Sequence, residues 1–345
     1  MQTAQILRWF GFVGLSLLLL GCSCSLDMEP VYEGKPLSEW ATQAESEAIG
    51  GGPSADARRA AEAVRTIGPA RSIPFLVRWI QPPMKQPMTR GGAVECFRIF
   101  GPEAKAAIPE LAKILSRQAR TSDDMSAQTS AAEALSYLGP NAVPALLTAA
   151  TNFHGQQIQW EIIDDMANFG TNGAAAKPAI LSWSRDPDEQ VRLGALHAYV
   201  EIEDNQSATV DFLLNALKDQ DALVRRDAAE FLGDVAHGQS DVLPALLKAL
   251  DDPDWQVRSG AVQGLGSLGV EKAVVLPLLI KKLHDENRII RRCAAFALGD
   301  VGGREAFDAL MESTDDPDPF VREGVFQSLT RIDAGALERS GKKFY

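Results

Sequence analysis

Cysteine and aromatic residues are scarce in this sequence of 345 residues, which has four cysteines and 7% Phe, Trp and Tyr. The four cysteines include no CxxC pair, which excludes a disulfide framework and a cysteine-rich zinc site. Apolar residues nevertheless make up 46% of the chain. This composition favours helices that pack mainly through Ala, Leu and Val.

Histidine is equally scarce, and none of the four histidines, at positions 154, 197, 237 and 284, is followed by Glu. The sequence also lacks G-x-S-x-G, P-loop and H-E-x-x-H motifs, so no catalytic residue, metal or organic cofactor is predicted. His154 and His197 are predicted to be lone solvated or packed side chains. The net charge of -12 excludes nucleic acid as the main partner and favours a neutral or basic one.

The first 21 residues have the pattern of a signal peptide. Arg8 precedes an apolar run, Trp9 to Leu20, that is too short to span a bilayer and ends in Leu19-Leu20-Gly21-Cys22. This ending resembles the bacterial lipobox, which implies that Cys22 is lipidated and becomes the mature N-terminus. Because Ser23 and not Asp follows Cys22, the expected location is the outer membrane, facing the periplasm. The alternative is an ordinary secretory signal or a short anchor.

A helical phrase recurs nine times, with its best copies 33 residues apart. It starts at Ala57, Arg90, Gln128, Gln159, Arg192, Arg225, Arg258, Arg291 and Arg322. Apolar or small residues follow three, seven and ten places after each anchor, on one stripe of a helix, as in Ala261, Leu265 and Leu268. Such a period predicts a solenoid whose units bury their apolar faces on one another. Cys96 and Cys293 lie six copies apart at crowded positions and are predicted to be buried packing thiols.

The turns that start at Asp186, Asp252 and Asp316 carry an Asp-Pro-Asp motif before the anchor, and those that start at Asp219 and Asp285 are looser copies. The second Asp is placed to cap the following helix, and the first Asp can reach an Arg of its own or an adjacent repeat. We therefore expect a ladder of bonded side chains along these turns. The predicted ladder comprises Asp186, Asp188, Arg192, Asp219, Asp221, Arg225, Asp252, Asp254, Arg258, Asp285, Arg291, Asp316, Asp318 and Arg322.

The D-P-D-x-x-V-R turn and the A-x-x-x-L-G run after it resemble HEAT repeats, in particular the short bacterial subgroup named for phycobilisome lyases. The resemblance covers residues 36–332 and implies an all-α fold, a right-handed α-α superhelix of about nine helix pairs, A and B in each. Residues 1–21 are then the signal peptide, 22–35 a tether and 333–345 a C-terminal tail. A HEAT-repeat hydroxylase binds two irons through repeated His-Glu pairs, which this chain lacks.

A row of side chains five places after the anchors is rich in carboxylates. It contains Glu62, Glu95, Glu133, Asp164 and Glu230, with His197 between the last two. The position is off the apolar stripe, on the side of helix B that lines the concave surface of HEAT-like solenoids. We therefore expect these carboxylates to bind a basic partner segment, although they are also explained as a solvated helix face.

These patterns predict a lipid-anchored, exported scaffold that binds a protein or peptide and is not an enzyme. One alternative, implied by the resemblance alone, is a lyase-like or pigment-binding subunit. The other is a structural envelope protein that self-associates through its C-terminal end, because no complete helix follows the last repeat to cover it.

Overall fold

The computed structural model describes residues 28–49, 54–83, 90–235, 239–269 and 272–342. The signal-peptide residues, Cys22 and Cys24 lie outside these ranges. No helix in the described part of the chain is both long enough and apolar enough to cross a membrane.

Nine A helices alternate with nine B helices in the described residues, as the repeat predicted. The A helices are α1 (Leu37–Ile49), α3 (Pro69–Ile80), α5 (Ile108–Leu115), α7 (Val143–Asn152), α9 (Lys177–Trp183), α11 (Gln206–Ala216), α13 (Val242–Ala249), α15 (Lys272–Lys282) and α17 (Arg304–Glu312). The B helices are α2 (Ala55–Ile67), α4 (Arg90–Phe100), α6 (Ser122–Ser136), α8 (Ile158–Asp165), α10 (Glu189–Ile202), α12 (Ala222–Val235), α14 (Trp255–Ser267), α16 (Arg288–Val301) and α18 (Pro319–Ser340). Segments of 3-10 helix span Gly101–Ala107, Pro140–Ala142 and Met166–Ala176.

The predicted apolar stripe is the core. In α14, Ala261, Leu265 and Leu268 are buried, and the fourth copy, which departs most from the repeat, also buries Ile162 and Met166. Burial of this apolar surface in every repeat stabilises the fold by about 25 cal/mol per Å² removed from water. The all-α solenoid fold class and its register are therefore confirmed.

The chain divides into two compact units, Met1–Ala149 and Ala150–Tyr345. In the first unit, the described end of the predicted tether is ordered as an antiparallel hairpin of β1 (Val31–Tyr32) and β2 (Lys35–Pro36). The hairpin is held against α1, because the Trp40 indole donates to the Tyr32 carbonyl at 3.1 Å and the two rings are 6.3 Å apart. This hairpin was not predicted from the sequence, because strands of two residues are too short to show an alternating pattern.

In the second unit, neighbouring B helices approach to backbone contact. A Cβ atom added to Gly233 of α12 would lie 2.2 Å from the carbonyl oxygen of Gly264 in α14, and one on Gly264 would lie 2.3 Å from the Ala229 oxygen. Only glycine allows such an approach. This close packing also brings polar side chains of adjacent repeats within bonding distance.

The predicted C-terminal tail continues the last helix. Helix α18 breaks at Asp333, where φ is -160° and ψ is 90°, and resumes with the Asp333 carboxylate accepting a hydrogen bond from Ala336 N at 2.8 Å. Ala336 and Leu337 then pack against the core of the second unit. The tail thus covers part of the apolar end of the last repeat.

Candidate functional site

The A-to-B turns are built by paired aspartates. The first Asp of each turn accepts a hydrogen bond from the backbone N–H two residues later, as Asp252 does from Asp254 at 2.9 Å. The second Asp caps the next helix, and Asp188, Asp254 and Asp318 each accept from the amide two residues on at 2.8–2.9 Å. Such a cap contributes about 1 kcal/mol. The turns therefore hold the start of each B helix in a fixed place.

Three arginines at the anchor position link their own turn to the next one. Arg192 donates two hydrogen bonds to Asp219 at 2.9 Å, and Arg225 does the same to Asp252 at 3.0 Å. Arg291 donates to Asp316 at 2.8 and 3.0 Å. Each guanidinium also donates to two carbonyl oxygens of its own turn, as Arg225 does to Asp219 and Gln220 at 2.9 Å. The structure thus joins the predicted ladder residues across repeats in two-pronged pairs.

The ladder has two irregular positions. Arg258 contacts only the carbonyl oxygens of Asp252 and Pro253 in its own turn, while the next Asp, Asp285, accepts from Asn287 N. Asp221, which was expected to cap α12, instead contacts Arg192. Asn287 takes the capping position in its own turn and accepts from Ile289 N at 2.9 Å.

In the first unit, an anchor arginine also contacts an aspartate of the next turn, which the sequence pattern did not predict. Arg90 donates to the Ile80 carbonyl at 2.9 Å and lies 2.7 Å from Asp123, which belongs to no Asp-Pro-Asp motif. At the next anchor, Gln128 donates to the carbonyls of Leu115 and Arg117. Gln128 therefore keeps the backbone contacts of the anchor without its charge.

The carboxylate row differs from the prediction in part. Glu62 and Glu133 are exposed, but the Glu95 side chain is only 12% exposed and accepts from Arg98 at 2.7 Å. The protein around the Glu133 carboxyl group and the negative charge of Glu95 raise the Glu133 pKa. In the first unit, therefore, Glu62 and Glu133 are open to solvent and Glu95 is largely covered.

In the second unit the row is a bonded network and not a free acidic face. His197 of α10 lies with Nδ1 2.8 Å from Asp164 of α8 and with Nε2 3.0 Å from Asp227 of α12. Its ring also meets Phe231 edge-on at 5.5 Å. His197 was expected to be a lone side chain. The repeat contained the signal for this cluster, because Asp164 occupies the same position one copy earlier.

The charges of this cluster stabilise one another. Burial would lower the His197 pKa, but the hydrogen bonds to Asp164 and Asp227 outweigh it and raise the pKa to about 9 from an ordinary 6.5. Burial acts against ionisation of Asp227, whose pKa is nevertheless lowered because His197 and Arg226 both donate to it. Arg226 Nε lies 2.6 Å from the Asp227 carboxylate. The imidazolium is therefore the central charge of a salt bridge across three B helices.

Glu230 continues the row as a half-buried carboxylate. Its pKa is raised by burial and then by the charges of Asp227 and Asp234, while Arg226 and Gln263 act to lower it. Gln263 in turn accepts from the Cys293 thiol at 3.0 Å. Cys293 and Cys96 are both buried free thiols, as predicted, and burial raises the Cys293 pKa to about 11. Neither thiol has the thiolate character that nucleophilic chemistry requires.

Three consecutive turns of the second unit each expose a large apolar side chain, which the repeat pattern did not predict. These side chains are Trp255, Ile289 and Phe320, which are 38%, 40% and 55% exposed. All three lie in the first two residues of a B helix, and we call them the turn ridge. The Arg288 guanidinium lies 5.9 Å from the Phe320 ring and 3.1 Å from Asp318. A single exposed apolar residue is ordinary, whereas one in each of three neighbouring turns marks a surface.

Among the described residues, no group of three or more His, Cys, Asp or Glu side chains is placed to hold a metal ion. The closest His and Asp residues, at the centre of the second-unit row, are bonded to one another and to Arg226.

Comparison with protein families finds HEAT repeats at residues 177–266, 210–281 and 276–340. No curated protein matches the chain significantly. Among solved structures, YibA from E. coli is 17% identical with a TM-score of 0.49, and the match covers 88% of this chain and all of YibA. Kap121p bound to Pho4p is 14% identical with a TM-score of 0.50, and the match covers 84% of this chain but 37% of Kap121p. Human deoxyhypusine hydroxylase is 20% identical with a TM-score of 0.33, over 79% of this chain and 99% of the hydroxylase.

Proposed function

Because this protein is built from HEAT repeats, we propose that it is a non-catalytic scaffold, lipid-anchored in the cell envelope, that binds a protein partner through the turn ridge. The HEAT solenoid is compatible with such a role. One similar structure, that of Kap121p, has Pho4p bound. At 14% identity this likeness shows the fold alone.

The turn ridge is the observation that carries the proposal. Trp255, Ile289 and Phe320 lie within the first two residues of the B helix in three successive repeats, so a partner that follows the turns meets one apolar contact in each repeat. Large apolar and aromatic side chains are the residues that contribute most to protein interfaces. The turns beneath them are fixed by the caps and the Arg-Asp pairs. The ridge is therefore presented on a rigid base, which reduces the entropy lost on binding.

Charges around the turn ridge select the kind of partner. The three turns, residues 251–258, 285–291 and 315–322, contain eight carboxylates and four arginines. Most of the arginines are used within the turns, whereas Asp251 and Glu286 are exposed, as is Asp315, which pairs with Lys342 at 2.8 Å. A partner that places basic side chains beside apolar ones would complement both features. This extends the expectation of a basic partner from the predicted row to the turn ridge.

The bonded state of the polar side chains supports a binding role over catalysis. A general base or nucleophile needs a free position facing a substrate, yet His197 uses both of its ring nitrogens on Asp164 and Asp227. Arg192, Arg225 and Arg291 are likewise engaged with carboxylates and carbonyls.

Lipid anchoring through Cys22 is part of the proposal and rests on the lipobox-like sequence alone. One acyl chain binds a membrane weakly, and a diacylglycerol thioether with an added chain binds it stably. Cys22→Ser should abolish incorporation of a labelled fatty acid and release the protein from membranes, while Cys24→Ser should change neither. An unlipidated mature protein that begins elsewhere would contradict the anchor.

The turn ridge is tested by site-specific photocrosslinking in cells. A benzoylphenylalanine at position 320 should crosslink to a discrete partner. The same probe at Arg304, a residue whose side chain is 86% exposed at the start of α17, should not. The triple change Trp255→Ser, Ile289→Ser and Phe320→Ser should abolish association with the crosslinked protein and leave the helical content unchanged. Crosslinking of equal strength at both positions, or retained association in the triple variant, would overturn the proposed surface.

A further inference from the structure

The second unit contains an open cleft of about 640 Å³ between the A helices α9 and α11. Its floor includes Leu196 and Val224, which are buried, and its sides include Leu181 of α9, which is 39% exposed, and Phe212 of α11. The cleft lies on the A helices, whereas the turn ridge lies at the starts of B helices of later repeats. The two surfaces therefore use different residues.

The repeat explains why the cleft opens at this position. The position that is Ser184 in this repeat is Leu217, Leu250 and Leu283 in the three that follow, and Leu250 and Leu283 are buried. Ser184 instead lines the cleft, and its hydroxyl donates to the Leu181 carbonyl at 3.0 Å. The cleft is therefore opened where this repeat lacks the Leu side chain that the three following repeats carry at the equivalent position.

Two stacked aromatic residues, Tyr199 and Phe212, form one wall of the cleft. Tyr199 replaces the Leu of the following copies, at Leu232, Leu265 and Leu298, and its ring stacks on Phe212 with the centroids 4.1 Å apart. The Tyr199 hydroxyl donates to Glu203 at 3.1 Å, and Lys177 also donates to Glu203 at 2.9 Å. Lys177 first, and then the other donors, lower the Glu203 pKa to about 2, so the carboxylate stays ionised and holds the wall.

The rim of the cleft is polar and has no excess of either charge. Arg185 and Asp211 are exposed on opposite sides, and Asn215 adds an amide that both donates and accepts. A peptide backbone presents N–H and C=O groups in alternation and matches such a rim. A strongly charged ligand would meet a like charge on one side.

We propose that this cleft binds an extended peptide segment that inserts an aromatic side chain against the Tyr199 and Phe212 wall. Aromatic rings prefer offset or edge contacts with one another, and Phe212 offers the accessible ring surface, because it is half-buried while Tyr199 behind it is 6% exposed. The volume lies within the range of ligand sites in proteins and exceeds what one side chain needs, so the neighbouring backbone is accommodated as well. This site is independent of the turn ridge, and the failure of either leaves the other untouched.

The test closes the cleft by changing Ser184 to Leu, the residue that the three following repeats carry at this position. A phage library of random 12-residue peptides is panned on the full chain with the Ser184→Leu variant in solution as competitor. Peptides that emerge should share an aromatic residue and should bind Ser184→Leu at least about tenfold more weakly, a loss of about 1.4 kcal/mol. Ser182→Leu, the same change at an exposed residue of α9 that does not line the cleft, should retain binding.

Separate measurements check that the variants are folded. Ser184→Leu should keep the helical spectrum and melt no lower than the wild type, because it adds apolar contacts in an open space. Ala208→Leu, on the opposite side of the cleft, serves as a second blocking variant and should weaken the same peptides. Panning that yields no discriminating peptide, or peptides that bind both blocking variants as tightly as the wild type, would overturn the proposal. Discriminating peptides without an aromatic residue would overturn the assigned ligand.

Discussion

The Nδ1 atom of His197 lies 2.8 Å from the carboxylate of Asp164, although the two residues are 33 positions apart in the chain. They occupy equivalent positions in successive B helices. The second ring nitrogen reaches Asp227 in the third helix. A position that was expected to carry separate surface charges thus links three repeats of the second unit.

This salt bridge makes stability depend on pH. The folded-state pKa of His197 is about 9, above its ordinary 6.5. Its contribution is therefore complete below about pH 6.5 and is lost as the pH rises towards 9, with a total on the order of 1–3 kcal/mol. Urea unfolding of the wild type and of His197→Asn from pH 6 to pH 9.5 measures it. The difference between the two proteins should shrink over this range, and a constant difference would contradict the charged imidazolium.

The close contact between helices at Gly264 predicts that even an alanine at this position destabilises the fold. Gly264→Ala places a Cβ atom 2.3 Å from the Ala229 carbonyl oxygen, so α12 and α14 have to separate. We expect a loss of about 1–3 kcal/mol in the free energy of unfolding, although alanine is the better helix former. Ser267→Ala, at an exposed position of the same helix, is the control and should be neutral or slightly stabilising. Equal stabilities of the two variants would show that the helices pack less closely.

The ladder predicts unequal roles for two arginines of the same motif. Arg225 pairs with Asp252 across repeats, whereas Arg258 contacts only its own turn. Arg225→Lys should cost about 1–3 kcal/mol of unfolding free energy, because lysine cannot reproduce the two-pronged pair, and Arg258→Lys should cost less. A double-mutant cycle with Asp252→Asn checks the assignment. A coupling near zero between Arg225 and Asp252 would refute the cross-repeat pair.

The first-unit carboxylates predict a salt effect that the second-unit row cannot produce. If Glu62, Glu95 and Glu133 bind a basic segment, changing all three to Gln should remove much of the salt dependence of partner binding. The changes at Glu62 and Glu133 should alter stability little, because exposed charges contribute about 0–1 kcal/mol each, whereas the change at Glu95 also removes its ion pair with Arg98. Titration of the crosslinked partner at several salt concentrations provides the measurement. An unchanged salt slope would identify the row in the first unit as a solvated helix face.

The repeat period and the turn motif determined most of the fold from the sequence alone. Spacing of three, four and three identified the buried stripe, even in the divergent copy with Ile162 and Met166, because a solenoid repeats its local contacts in every unit. The hairpin at Val31–Pro36 was beyond such reasoning, since it has no period and depends on Trp40 for its contacts.

The state of the polar residues was decided by the tertiary structure. Asp164, Glu230 and Glu62 share one position in the repeat, yet Asp164 is bonded to His197 and Glu230 is half-buried, while Glu62 is exposed. The difference arises because glycines let neighbouring B helices of the second unit approach closely and bring together side chains about 33 residues apart. A pattern along one helix determines which face a side chain lies on, and only the packing of the neighbouring helix determines whether that side chain has a partner.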